Sequence, residues 1–188
     1  MIICLIRHGQ TNWNSQNRIQ GRTDNLLNDA GRAEAEKVAE YLKNCDPHWD
    51  LVFSSPLKRA LETGQIISSR LSLPGPIVHP GLTERQFGEF EGTVINENTF
   101  PSIMQEQVPR LESKADLQAR VLKTLRDIAS NYQCEKILIT THSHFIKGLL
   151  STIIPDFNFG TFLKNTAINY FEIQDGVITL RSWNILPE

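Results

Sequence analysis

Residues 2–9 read Ile2-Ile3-Cys4-Leu5-Ile6-Arg7-His8-Gly9, five apolar residues followed at once by a charged corner and a glycine. An unbroken apolar, β-branched run suits a strand covered on both faces rather than one with a wet side. Strands of that kind belong to sheets flanked by helices, and in such sheets ligands sit beyond the carboxyl ends of the strands. Arg7 and His8 occupy that position.

Working outward, the same pattern returns. Asn28 is a polar cap before Ala30, Ala33, Ala35, Val38, Ala39 and Leu42, an apolar stripe that predicts a helix ending near Asn44. Leu51-Val52-Phe53-Ser54 reads as a short buried strand. After Ser54-Ser55-Pro56 a helical pattern runs through Leu57, Ala60, Leu61, Gly64, Ile66 and Ile67. Leu73 to Pro76 is a loop and Ile77-Val78 a brief extended piece. From Leu82 to Gly92 periodicity fails, and residues 93–112 carry no readable period. A helix from Lys114 to Tyr132 shows Leu117, Val121, Leu125 and Ile128 on one face. Lys136 to Thr140 follows as a strand, and Phe145, Ile146, Leu149 and Leu150 begin another helix. Two strand-like runs, Ile168 to Ile173 and Val177 to Leu180, meet across Asp175-Gly176, a tight hairpin signal. Strands alternating with helices predict an α/β fold. The expected architecture is a three-layer α/β/α sandwich with a mostly parallel central sheet and an antiparallel edge, in one domain over residues 1–188.

Composition narrows the partners. A chain of 188 residues with a formal net charge of -2 has no global attraction to nucleic acid or anionic lipid, so neither is expected as a partner. No stretch approaches the ~20 apolar residues that a membrane helix needs. Cys4, Cys45 and Cys134 are odd in number and scattered, which predicts free thiols in a reducing compartment and a cytoplasmic location. The final hairpin leaves an edge strand that could pair with a second copy, so a homodimer is one expectation.

The residues just past the apolar strands gather the chemistry: Arg7-His8-Gly9, then Ser54-Ser55-Pro56 with Arg59, then His142-Ser143-His144. All fall on one edge of the predicted sheet. Two arginines and two or three histidines there make a local positive well in a mildly acidic chain, suited to the dianion of a small phosphate ester. Arg59 stands near a helix start, where a cation gains nothing from the helix dipole, so a role in the site explains it better. Glu84, in the aperiodic loop beside Arg85, is a carboxylate that could protonate a departing alcohol. The set is complete without a metal, and no metal or other cofactor is expected.

With these residues in place, the chain resembles the histidine phosphatase superfamily in its phosphoglycerate mutase-like branch. The matching pieces are Leu5 to Asn14, Arg18-Ile19-Gln20-Gly21, Leu27 to Gly31, Ser54 to Ala60, Leu82 to Gly88, and Thr141-His142. The resemblance implies that His8 attacks phosphorus to form a phosphohistidine, which water then hydrolyses. It implies that Arg7, Arg59 and His142 neutralise the phosphoryl oxygens and that Glu84 is the general acid/base. Asn14, Gln20 and Gly21 match positions bordering the ester; Arg85, Ser143 and His144 are expected to contact it as well. Ser143 stands where the family usually has glycine, and no aspartate stands there as in the acid phosphatase branch. Glycolytic mutases carry a tyrosine and a lysine where this chain has Phe87 and Ile95, and Glu91 to Pro109 holds no basic residue for a second acidic group. A phosphatase of small monoesters is therefore expected, with a phosphoglycerate mutase or a non-catalytic phospho-ligand binding module as alternatives. Phe87, Phe90, Ile95 and Phe100 are expected to overhang the pocket.

Overall fold

Ile3, Cys4, Leu5 and Ile6 are completely buried, and their side chains alternate between two separate apolar cores. Ile3 and Leu5 enter one, Cys4 and Ile6 the other, as the two-residue period of a strand dictates. Double burial is what the unbroken apolar run requires. This strand, β1 (Ile2–Arg7), lies between β4 (Lys136–Thr141), its parallel neighbour, and the antiparallel β5 (Ile168–Gln174). The computed structural model describes residues 1–187. Within them β2 (Leu51–Ser54), β3 (Ile77–Val78) and β6 (Val177–Ile185) complete a six-stranded sheet in the order β3-β2-β4-β1-β5-β6. The pairs β1·β4, β2·β4 and β2·β3 are parallel, and the β5–β6 hairpin forms the antiparallel edge.

Helices cover both faces. α5 (Lys114–Asn131) and α6 (Ser143–Ile153) pack Leu117, Val121, Leu125, Phe145 and Leu149 against Ile3, Leu5, Ile137 and Ile139. On the other side α2 (Asp29–Cys45) and α3 (Lys58–Arg70) bring Val38, Leu42 and Ile67 onto Cys4, Ile6, Val52 and Leu138. The starts of the helices follow the local chemistry. Asn28 caps α2 by accepting from the Gly31 amide, and Ser113 caps α5 by accepting from the Asp116 amide. Asp175 and Gly176 take φ of 51° and 75°, the pair of left-handed residues that closes a two-residue hairpin.

The sandwich and its antiparallel edge are as the sequence predicts. Two short helices are not. α1 (Asn12–Ser15) is a single turn capped by Thr11, and α4 (Thr99–Met104) rises from the stretch that has no period. A one- or two-turn helix is too short to print a 3.6-residue stripe, which is why α4 is silent in the sequence. It packs Ile103 with Ile19, Phe87 and Val108 in a small third cluster beside the strand ends. All three cysteines are unpaired, and no helix among the described residues is long and apolar enough to cross a membrane.

Candidate active site

Three parallel strands end together and deliver the polar corner. β1 runs directly into Arg7 and His8, whose amides donate to Ala167 O at 3.2 Å and Thr141 O at 2.9 Å. β4 ends at Thr141, so His142 stands beside His8, with ring centroids 5.2 Å apart. Arg59 comes from the first turn of α3, just past β2, and is fully buried. The corner after β1 can lie this deep because Gly9 and Gly31 meet back to back; a Cβ on Gly9 would stand 2.3 Å from Gly31 O.

The hydrogen bonds of His8 fix its chemistry. Nδ1 lies 2.7 Å from Gly9 O, and since a carbonyl only accepts, the proton sits on Nδ1. The Nε2 lone pair is left as the reactive one, receiving Arg59 Nε–H at 3.2 Å. Burial, then the charges of Arg59 and Arg7, hold the His8 pKa well below its ordinary 6.5, so the ring is neutral at pH 7. The same causes, burial first, hold His142 neutral. Its Nε2 is 2.7 Å from Ser55 Oγ, while its Nδ1 is buried without a partner among the described residues. Arg7 donates one Nη to Leu163 O and keeps a buried Nε with no acceptor. An orphaned guanidinium nitrogen beside a neutral imidazole is what an incoming anion would satisfy. Burial lowers both Arg7 and Arg59 to about 10, and both remain charged.

Glu84 reaches the same space from the loop after β3. Its carboxylate accepts from the Arg85 amide at 2.8 Å and from the His144 amide, at the start of α6, at 3.0 Å. Burial raises its pKa above 4.5, against the opposing pull of those amides and of Arg59 and Arg7. A buried carboxyl facing two arginines can cross between acid and base near working pH.

These groups share a cavity of about 240 Å³. Arg7, His8, Arg59, Glu84, Asn14, Gln20, Gly21, Ser143 and His144 all line it. Gly21 has φ 53°, and a side chain there would strike the Glu91 carboxylate. His142 is fully buried, its ring 5.2 Å from that of His8, and is not part of the lining. Arg85 is elsewhere: its guanidinium donates to Glu112 O at 2.8 Å and pairs with Glu106 at 2.9 Å, so it braces the loop and is not among the residues that line the cavity. Phe87, Ile95 and Phe100 form part of the wall as expected, but Phe90 turns into the Ile19 cluster because the chain bends through a 3₁₀ turn at Gly88–Phe90. Several residues of the site were not foreseen, three of which bear on its chemistry. Lys147 and Phe162 line the cavity, and Asn165 bonds both His8 O and Asn14 Oδ1. Only Lys147 left a signal, its position one turn after Ser143 on a helix that starts at the strand ends.

A neutral, oriented imidazole facing arginines and one buried carboxyl, on the carboxyl edge of a parallel sheet, is an arrangement suited to a phosphate ester. Residues 3–186 match the model of the histidine phosphatase superfamily (branch 1), and the chain belongs to that family. It is 34% identical to the uncharacterized phosphatase PhoE of Bacillus subtilis, across 97% of this chain and 94% of that protein. It is also 34% identical to phosphoglycerate mutase-like protein 4 of Arabidopsis thaliana, across 93% of this chain and 80% of that one. Phosphoserine phosphatase from Entamoeba histolytica, solved with phosphoserine, superposes with a TM-score of 0.82 at 28% identity, covering 97% of this chain and 96% of that structure.

Proposed function

We propose that the protein is a phosphatase that hydrolyses small phosphate monoesters through a phosphohistidine at His8, with Glu84 as general acid and then base. The observation that carries this reading is the tautomer of His8. Its proton is committed to Gly9 O, and its Nε2 faces a cavity that also holds Arg7, Arg59 and Glu84. A phosphate dianion is a stronger acceptor than a neutral imidazole, so on entry it takes the Arg59 Nε–H and frees the Nε2 lone pair. Nε2 then forms a bond to phosphorus as the ester oxygen leaves with the Glu84 proton. In the second half, Glu84 takes a proton from water, the water oxygen bonds phosphorus, and the N–P bond breaks. Arg7 and Arg59 stay in place through both steps, as preorganised charge should.

The cavity, at about 240 Å³, is smaller than the ~300 to 1,000 Å³ typical of drug-sized ligands, which favours a small ester. Phe87 and Ile95 in its wall offer nothing to a second phosphate, which favours hydrolysis over a mutase cycle that must retain a bisphosphate. The test is a steady-state screen of purified protein, without added metal, against phosphate monoesters and against 3-phosphoglycerate with its bisphosphate cofactor. Release of inorganic phosphate is expected. Isomer interconversion without release would replace the phosphatase by a mutase, and silence in both would favour a binding module.

A further inference from the structure

A general acid must stand within hydrogen-bond reach of the departing oxygen, yet the backbone that carries Glu84, residues 83–86, belongs to no helix or strand. Backbone without regular hydrogen bonds needs other partners if it is to hold a side chain in place. Arg120, on α5, supplies them. Its Nη1 donates to Gly81 O and to Thr83 O, both at 2.9 Å, and its Nη2 donates to Glu84 O at 3.3 Å. The other donors form a two-pronged pair with Glu112, Nε to Oε1 at 2.7 Å and Nη2 to Oε2 at 2.8 Å. A guanidinium has five N–H groups, and these bonds use all of them. Glu112 extends the clamp along the loop. Its Oε2 also accepts from the Gln86 amide at 3.2 Å, and its own amide donates to Gln86 O at 2.9 Å.

The chain approaches α5 closely enough for this because residue 81 is glycine. A Cβ there would stand 2.2 Å from Oγ1 of Thr124, one turn beyond Arg120 on the same helix. Neither Arg120 nor Glu112 lines the cavity, so neither touches a ligand. Arg22 also reaches Glu84 O, but at 3.4 Å and from a side chain 41% exposed, against 20% for Arg120 and 9% for Glu112. The shielded, two-pronged pair is the one that holds its geometry. Lysine is no substitute for Arg120, since a point charge with three donors matches neither the plane nor the number of these acceptors. At the other end of the same residue, the Glu84 carboxylate accepts from the His144 amide at 3.0 Å. That amide lies in the first turn of α6, where it has no acceptor within the helix, so its protection from exchange reports where Glu84 stands.

We propose that Arg120 is a positioning residue for the general acid: paired with Glu112, it clamps the Gly81–Glu84 backbone to α5 and so sets the distance from the Glu84 carboxyl to the leaving oxygen. The proposal rests on the phosphatase reading of the site. R120K keeps the charge and loses the fork. Its kcat/KM for an alkyl phosphate should fall by about 10²-fold, the cost of roughly an ångström of misplacement. For p-nitrophenyl phosphate, whose alcohol needs no proton, most of that loss should be absent. In the E84Q background, with no acid left to place, R120K should cost nothing further on the alkyl ester. Equal losses on both esters, or losses that add in the double variant, overturn the proposal, because a general loosening of the fold acts on both leaving groups alike. If R120K does not fold, E112Q frees the guanidinium from its other side at unchanged size and gives the same comparison. A second measurement needs no turnover. Hydrogen exchange of the His144 amide, followed by NMR, should be about 10-fold faster in R120K than in the wild type while amides of β1 and β4 keep their rates, and unaltered exchange at His144 overturns the clamp. Absence of phosphate release by the wild type from any ester would sink the phosphatase reading, and the exchange rates would then decide the clamp alone.

Discussion

The cavity is built from two regions held in different ways. On the sheet edge, Arg7, His8, Arg59 and His142 are each no more than 8% exposed, and strand ends or a helix start fix their backbones. Every N–H-bearing group of Arg59 already has an acceptor: Gly21 O at 2.7 Å, Thr23 O at 2.8 Å and His8 Nε2. The facing loop, residues 84–111, has only its own small cluster of Ile103, Phe87 and Val108 with Ile19, plus ties such as Arg85 to Glu106. Its rim residues Ile95 and Phe100 remain 48% and 41% exposed. On the proposed mechanism the groups that meet phosphorus stand on regular elements, while the apolar wall of Phe87, Ile95 and Phe100 stands on the loop. Glu84 belongs to both, since the loop carries it but the amide at the start of α6 pins it.

If that division is right, the largest loss should follow removal of an edge residue. His8→Ala should lower kcat by at least about 10⁴-fold for every ester, because a nucleophile cannot be replaced by the remaining charges. Rapid-quench labelling should show a phosphoenzyme in the wild type and none in the variant. Unfolding midpoints should stay close, since the ring bonds only Gly9 O and Arg59. Wild-type turnover in this variant would remove the edge from the chemistry altogether.

The two regions also differ in how much of them can be read in the sequence. The edge is legible because double-faced burial forces a continuous apolar run, and the residue after each run must stand at the strand end. Ile2 to Ile6, Leu51 to Ser54 and Lys136 to Thr140 each mark such a place, so His8, Arg59 and His142 converge on paper before they do in space. The loop obeys no period. Glu84 is legible through the family resemblance more than through local physics, and Arg85, next to it, turns to Glu112 and Glu106 instead of the cavity because an adjacent residue on an irregular backbone can point either way. Phe90 failed for the same reason. Lys147 was missed because the start of α6 read as an apolar helix, and one lysine there looks like a solvated face until the cavity beside it is seen.

Replacing the residue that spans both regions should give an intermediate and conditional effect. Glu84→Gln keeps the shape but cannot supply a proton, so kcat/KM for alkyl esters should fall by about 10²- to 10⁴-fold. For p-nitrophenyl phosphate, whose alcohol leaves without help, the loss should be far smaller. An equal loss for both classes would make Glu84 a structural brace rather than an acid. The pH profile checks the same assignment. His8, lowered below 6.5, loses activity as pH falls and the ring takes a proton; Glu84, raised above 4.5, loses its acid form as pH rises. The rate is expected to fall on both sides of an optimum, and a flat rate from pH 4 to 9 would contradict both roles.

The smallest effect should come from the loop's rim. Phe100 sits in α4, lines the cavity and is 41% exposed, so part of its ring is already in water. Truncation to alanine removes less than the ~1.5 to 3 kcal/mol of a fully buried large side chain, and folding stability should fall by about 1 kcal/mol or less. Contact with the alcohol is lost equally in ground and transition states, which raises KM and leaves kcat nearly untouched. Esters with an apolar body should show a KM increase of about 3- to 10-fold, the worth of a methylene or two, and small polar ones almost none. A kcat loss that exceeds the KM change would mean that the loop helps to place the reacting atoms, and the separation between a catalytic edge and a selective loop would fail at its weakest point.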